Sequence, residues 1–385
     1  MVQTLSRARE LPAAVREAVE TWRDEADALR RLPDPLIEAL RSAGAFRLTT
    51  PREYGGAELG LTDTVAVLEE LARIDGPVAW NVWNGNTGFA AALLSEAGAD
   101  RVWGGDPVQR ADPVVVNSAR PTGRAVPVKG GYALTGRWDL VSGIDSANWV
   151  ALFGMVEAAQ PDVRVFFLPR SAVGVLDTWQ VTGMRGTGSN SVVVDGAVVP
   201  SELVVSPFAP SRIDRPLYRI PAFTNASTGC AAVVLGIARA GLDALVELAT
   251  DKLTDNGATL AHRAHAQAAI AGADAALRAA SLLLRTCAAE IDAAVLDGTG
   301  GPDGSVTPAL RGAIRAAMCH AAQTSRDVLT RAYVLGSSSS LSVGSRLERA
   351  FRDGMVAAQH GLLAATMLEP AGRIQLGIDV GVPIY

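Results

Sequence analysis

His360 is one of four histidines in a chain of 385 residues. Helical spacing puts it on one face with Val356, Ala364 and Met367, a mostly apolar wall. Desolvation there favours the neutral imidazole, the form a base requires. The same surroundings suit a core histidine bonded to a backbone carbonyl. Ser142, in WDLVSGIDSANW, offers a hydroxyl that donates and accepts in one small group, and it also reads as a β-turn serine before Gly143. Asn84 and Asn86, in NVWNGNTG, carry amides that bond a substrate but cannot act as bases at neutral pH, and both also read as helix-packing residues. His262 and His265 have a spacing that can hold a metal, yet no Cys, Asp or Glu joins them at ligand spacing, so no metal site is expected. There is no phosphate-binding P-loop, no dinucleotide fingerprint after a strand and no nucleophile elbow, so the chain is not expected to bind NAD(P)H by the usual means.

Three segments must position these residues. Residues 1–110 read mainly as helices, with apolar residues at three- and four-residue spacing, a stop at Gly44 and candidate caps at Thr62 and Asp63. Residues 111–221 hold short β-branched runs broken by Gly, Pro and Asn, including a turn at Gly130-Gly131, and read as a small β-barrel or sandwich. Residues 222–385 are rich in alanine and read as four long helices in a bundle, the fourth running from Ser345 through His360. The fold class expected is therefore α+β.

Composition narrows the function classes. The chain is 49% hydrophobic, ample for a large core, and its net charge of −5 lacks the basic footprint that nucleic acid needs. No uninterrupted apolar stretch reaches the length of a membrane span, and the first twenty residues hold no apolar signal core, so a cytoplasmic protein is expected. The three scattered cysteines, Cys230, Cys287 and Cys319, fit a reducing compartment.

The order helices, β-domain, four-helix bundle resembles the acyl-CoA dehydrogenase superfamily. PREYGGAELGLTDTVAVLEELARIDGPVAW, GGYALTGRWDLVSGIDSANW, VTGMRGTGSNSVVVDGAVVP and LERAFRD look like that family's recurring segments, in its order, over nearly the whole chain. The resemblance implies a flavin held between the β-domain and the bundle, in a homotetramer. The superfamily has two main chemistries: acyl-CoA dehydrogenation, and oxygenation by two-component flavin-dependent monooxygenases.

Dehydrogenation needs a glutamate base. In most dehydrogenases it lies eight residues past the Asp of the Arg-Asp pair; counted from Asp353, that position is Gly361. In others it lies on the first bundle helix, about ten residues before a Leu-Gly turn; counted back from Gly236, that position is Ala226. The oxygenase branch instead places a histidine near this point, facing the flavin, as His360 is placed here. By the same resemblance Ser142 approaches the flavin N5, Leu140 and Val141 supply backbone to the flavin edge, and Ser118 lies in the strand-loop that binds the flavin. Gly336 and Ser337 stand where the family meets the flavin nucleotide of a neighbouring subunit. The turn MRGTGS (184–189) caps the cofactor or is only the hairpin that the β-domain needs.

The expectation is thus a monooxygenase that hydroxylates a small aromatic or polycyclic substrate. It would use O2 and reduced FAD or FMN delivered by diffusion from a separate flavin reductase, with neither nucleic acid nor membrane as partner. His360, Ser142, Asn84 and Asn86 form the expected catalytic set. An acyl-CoA dehydrogenase with a displaced base, and a flavin-free scaffold of the same fold, are the alternatives.

Overall fold

The computed structural model describes residues 8–104, 113–253, 257–298 and 306–380; the expected boundary at 110/111 lies outside them. Among the described residues the main elements are these: five helices come first, α1 (Leu11–Leu29), α2 (Asp34–Ser42), α3 (Leu61–Ile74), α4 (Gly76–Gly85) and α5 (Glu96–Trp103). Seven strands follow: β1 (Val115–Val128), β2 (Gly131–Trp138), β3 (Trp149–Val156), β4 (Asp162–Pro169), β5 (Gly174–Leu176), β6 (Ser191–Pro200) and β7 (Val204–Val205). Six helices close the chain: α6 (Pro216–Arg219), α7 (Ala222–Asp251), α8 (Ala264–Asp297), α9 (Pro308–Gly336), α10 (Arg346–Ala357) and α11 (Leu368–Gln375).

The strands form one mixed sheet in the order β5-β6-β2-β1-β3-β4-β7. β1 and β3 run parallel, and every other pairing is antiparallel. Lys129 and Gly130 make the β1–β2 turn, with Gly130 at φ +84°, a conformation glycine adopts without steric cost. The β1–β3 register slips between Ser118 and Gly123, which throws Arg120 out of the ladder.

α7 is the central helix of the bundle and packs on α3, α9 and α10. Among the described residues it is the one helix long and apolar enough to cross a membrane by length and composition, although polar residues interrupt its apolar run; 78% of its apolar window is buried inside the fold. It approaches α3 so closely that a Cβ at Gly236 would lie 2.2 Å from the Glu69 carbonyl oxygen. Thr62 and Asp63 do not cap α3 as expected. The cap is tertiary: Asp292, on α8, accepts from the Leu61 and Thr62 N–H groups at 2.9 and 2.8 Å.

The expected fourth bundle helix is broken. α10 stops at Ala357, two short 3-10 turns span 361–363 and 365–367, and only then does α11 begin. Side chains of α9 bind carbonyls along the break: Arg326 donates to the Ala358 oxygen, and Cys319 to the Ala364 oxygen, which also accepts from the Met367 N–H.

The start of α4, the loop at Met184 and α10 are tied by one buried ionic cluster. Asp75 caps α4 by accepting from the Val78 N–H at 3.0 Å, and Arg349 donates to its other oxygen at 3.0 Å. Asp353, one turn along α10, accepts from the Met184 N–H at 2.5 Å and lies 3.7 Å from Arg349. Burial pushes the Asp353 carboxyl up to about 7, and the charge of Asp75 adds to this, while Arg352 and Arg349 oppose it. The folded state therefore holds a proton that the unfolded chain, titrating near 3.8, has released. The contribution of Asp353 to stability is expected to be fully present below about pH 4, to fall as pH rises to about 7, and to be flat above. Urea unfolding of wild type and Asp353→Asn checks this: the stability difference between them should move against wild type from pH 4.5 to pH 7.5.

Candidate active site

α4 is half the site. Its 3.6-residue period sets Trp80, Trp83 and Asn84 on adjoining faces. The two indoles meet edge-on at 4.7 Å, and the His360 ring sits edge-on to both, 5.5 Å from Trp80 and 5.4 Å from Trp83. Trp83 Nε1 is anchored on the Ala226 carbonyl of α7 at 2.7 Å, and Trp80 Nε1 donates to Ser142 Oγ at 3.1 Å.

His360 is not on a helix, so the expected shared face with Val356, Ala364 and Met367 does not exist. It has extended backbone angles and opens the 361–363 turn, its Nδ1 accepting from the Leu362 N–H at 3.4 Å. That bond assigns the ring proton to Nε2, leaving a donor there. Burial pushes the imidazole down to about 4, and the nearby cations Arg120 and Arg315 push the same way, so the ring is neutral at pH 7. The two positions for a dehydrogenase glutamate converge on this corner: Ala226 accepts from the Trp83 indole, and Gly361 adjoins His360 with nothing within 4 Å of where its Cβ would be.

Ser142 lies in the β2–β3 loop and is 6% exposed. Asn84 Nδ2 donates to the Ser142 carbonyl at 2.7 Å and to the Asn117 carbonyl at 3.4 Å, so it holds the loop and β1 against α4. Gly143 follows at φ +79°, and a Cβ there would lie 2.8 Å from Asn81 Oδ1. Both requirements favour glycine.

Some expected site residues are placed otherwise. The amide of Asn86 is spent on backbone: Oδ1 accepts from the Leu48 N–H, and Nδ2 donates to the Ala45 and Val82 carbonyls, each at 2.7 Å. It staples the chain entering the domain to the end of α4 and has no hydrogen left for a ligand. Val141 is fully buried; its N–H is spent on the Asn190 carbonyl, while its carbonyl accepts from the Ile144 N–H and keeps one lone pair. Leu140 has φ +62° and a half-exposed side chain. Ser118 is buried on β1 beside Asn117, at the start of the register slip. Gly336 and Ser337 end α9, 21 residues from Arg315. At 1.5 Å per residue that is about 32 Å along the helix, so within one chain they do not join this site. The Gly336 carbonyl accepts from Lys252 Nζ at 2.5 Å, and Ser337 has φ +50°.

Sequence reasoning missed Trp80 and Trp83, and it reached Thr187 and Ser189 only as part of the turn 184–189, without their link to Ser142. The Trp-x-x-Trp spacing was the available signal for the first two. The last two form a hydroxyl chain with Ser142, with 2.7 Å from Ser142 to Ser189 and 2.7 Å from Ser189 to Thr187. Ser142 thus meets the Trp80 indole and Ser189, and as a buried hydroxyl it retains one lone pair for a ligand hydrogen. A buried acceptor beside two indoles fits a flat heteroaromatic cofactor such as a flavin.

Comparison with known proteins supports the same chemistry. The acyl-CoA dehydrogenase N-terminal domain family matches residues 7–102, and the acyl-CoA dehydrogenase C-terminal domain family matches 228–364. The chain is 30% identical to indole-3-acetate monooxygenase of Pseudomonas putida over 356 residues, 92% of this chain and 89% of that protein. It is 34% identical to the flavin-dependent monooxygenase oxygenase subunit HsaA of Rhodococcus jostii over 234 residues, 58% of this chain and 60% of that one. Its fold superposes with TM-score 0.87 on XiaF from Streptomyces sp., solved with FADH2 and glycerol, at 25% identity and with 99% and 97% of the two chains covered.

Two outcomes are expected. His360 titrates near 6.5 when unfolded and about 4 when folded, so its contribution to stability is fully present above about pH 6.5 and is lost as pH falls to about 4. His360→Gln should abolish that part of the pH dependence of urea unfolding. Asn86→Ala removes three buried hydrogen bonds. It should cost about 2–4 kcal/mol in chemical denaturation, from about 1 kcal/mol per bond.

Proposed function

The chain belongs to the acyl-CoA dehydrogenase family, and from that premise we propose that it is the oxygenase component of a two-component flavin-dependent monooxygenase that hydroxylates an aromatic substrate. Its relatives of this kind are oxidoreductases, as it is. The observation that carries the reading is the corner at Trp83, whose indole binds the Ala226 carbonyl and packs edge-on to His360, the residue before Gly361. Both places for a dehydrogenase base adjoin it, neither carries a carboxylate, and a neutral histidine packs edge-on against two indoles instead. Indole-3-acetate monooxygenase and the HsaA subunit support the oxygenase branch by likeness over the stated spans.

Reduced flavin, when bound, supplies the electrons with which O2 places one oxygen atom in the substrate and yields the other as water. Ser142, Leu140 and Ser118 would hold it. The protein's own residues do the rest. Trp80 and Trp83 give an aromatic ring an apolar, edge-and-face surround. His360, neutral with its proton on Nε2, donates to a substrate oxygen and orients the ring rather than removing a proton in this tautomer. Asn84 fixes the loop that carries Ser142.

Reduced FAD or FMN arrives from a separate reductase by diffusion. In a homotetramer, Gly336 and Ser337 would reach a neighbour's cofactor, and three free buried cysteines accord with a cytoplasmic setting. The test is incubation with chemically reduced FMN or FAD, 18O-labelled O2 and a panel of phenols and indoles. A product carrying one labelled oxygen is expected, and His360→Ala should lower its rate on the order of 100-fold. Bleaching of enzyme-bound oxidised flavin by an acyl-CoA, with no labelled product, would overturn the reading in favour of a dehydrogenase.

A further inference from the structure

Ser142 heads a chain of three hydroxyls whose polarity the structure fixes. Thr187 Oγ1 lies 2.8 Å from the Met184 carbonyl oxygen. A carbonyl cannot donate, so the Thr187 hydrogen points there. Towards Ser189, 2.7 Å away, Thr187 Oγ1 is then an acceptor, and the Ser189 hydrogen is committed to it. By the same step Ser142, 2.7 Å from Ser189, gives its own hydrogen to Ser189. The Trp80 indole, which can only donate, takes one lone pair of Ser142 at 3.1 Å. Ser142, Ser189 and Thr187 are 6%, 4% and 1% exposed, which removes them from exchange with bulk water. Ser142 therefore meets a ligand as an acceptor with one lone pair.

We propose that Ser189 and Thr187 are positioning residues that fix Ser142 as a hydrogen-bond acceptor, so that the site favours reduced flavin, whose N5 carries a hydrogen, over oxidised flavin, whose N5 can only accept. The inference rests on the flavin reading above. Oxidised flavin is not shut out, because the chain can reverse. Ser142 would turn its hydrogen to N5, Ser189 would donate to Ser142, and Thr187 to Ser189. Reversal takes the Thr187 hydroxyl from the Met184 carbonyl, which keeps the Thr187 N–H and the Trp179 indole, both at 3.1 Å. One net hydrogen bond is lost, a discrimination on the order of five- to tenfold. The carbonyl that sets the direction is itself held. Met184 sits at φ +55°, and its N–H is bound by Asp353 at 2.5 Å. The arrangement retains the flavin that must react and loosens the flavin that must leave.

The test is anaerobic titration of the full chain with FMN and FAD in each redox state, followed by fluorescence and calorimetry. Wild type should bind reduced flavin more tightly. Thr187→Val removes the anchoring hydroxyl and keeps the shape, and Ser189→Ala frees the Ser142 hydrogen. Each should tighten oxidised flavin about five- to tenfold and leave reduced flavin within about twofold, while Thr187→Ser should keep the wild-type ratio. If Thr187→Val does not fold, Ser189→Ala carries the test. An unchanged ratio in the variants that fold, or weaker oxidised binding, overturns this inference alone. Failure of wild type to bind flavin in either state overturns the flavin reading and this inference with it.

Discussion

Arg349 stands between two buried carboxylates, Asp75 and Asp353, and the site hangs from that arrangement. Burying a carboxylate costs several kcal/mol unless charges and hydrogen bonds replace its water. Here the cost is offset only in part: Asp75 has Arg349 and the Val78 N–H, Asp353 has Arg352, Arg349 and the Met184 N–H, and burial still pushes both carboxyls up. The first bond starts the helix that carries Trp80, Trp83 and Asn84. The second pins the turn that carries Thr187 and Ser189. The cluster extends to α1, where Asp27 takes Arg352 at 2.8 Å and its carbonyl takes Arg185 at 3.0 Å, and Asp24 takes Arg349 at 2.9 Å. Helix α10 thereby clamps both halves of the site from behind.

The polar groups nearest the indoles are spent in fixed directions. Asn84 binds the Ser142 carbonyl, the Trp83 indole binds the Ala226 carbonyl, and the hydroxyl chain runs one way into Met184. What remains for a ligand is specific: an acceptor on Ser142, a donor on neutral His360 and two indole surfaces. A site preorganised in this way orients a ring and receives a hydrogen, but it offers no carboxylate to remove a proton beside a thioester.

Much of this was legible in the sequence because it rests on short-range rules. Three- and four-residue apolar spacing marked the helices, β-branched runs between glycines marked the strands, and the family's motifs in order marked the architecture. Ser142 and Asn84 stood out through the family resemblance, since on their own they read equally as a turn serine and a helix-packing amide. His360 was found through its distance from Asp353, but its helix was not there. Spacing in AAQHGLL cannot reveal that Arg326 and Cys319, more than thirty residues away, would bind carbonyls along a break and stabilise it. Asn86 looked equal to Asn84 because a sequence shows an amide and not what it is bonded to.

The sequence by itself determined the fold class, the family and the missing glutamate, because each is a matter of which residue types recur at which spacing. Only the tertiary structure decided that Ala226 and His360, the residue before Gly361, both meet the Trp83 indole, that His360 packs edge-on against two indoles with its proton on Nε2, and that Ser142 gives its hydrogen to Ser189 and so meets a ligand as an acceptor. The reason is physical. Hydrogen-bond direction and desolvation depend on the partners that surround a group, and those partners come from helices and loops far apart in the chain.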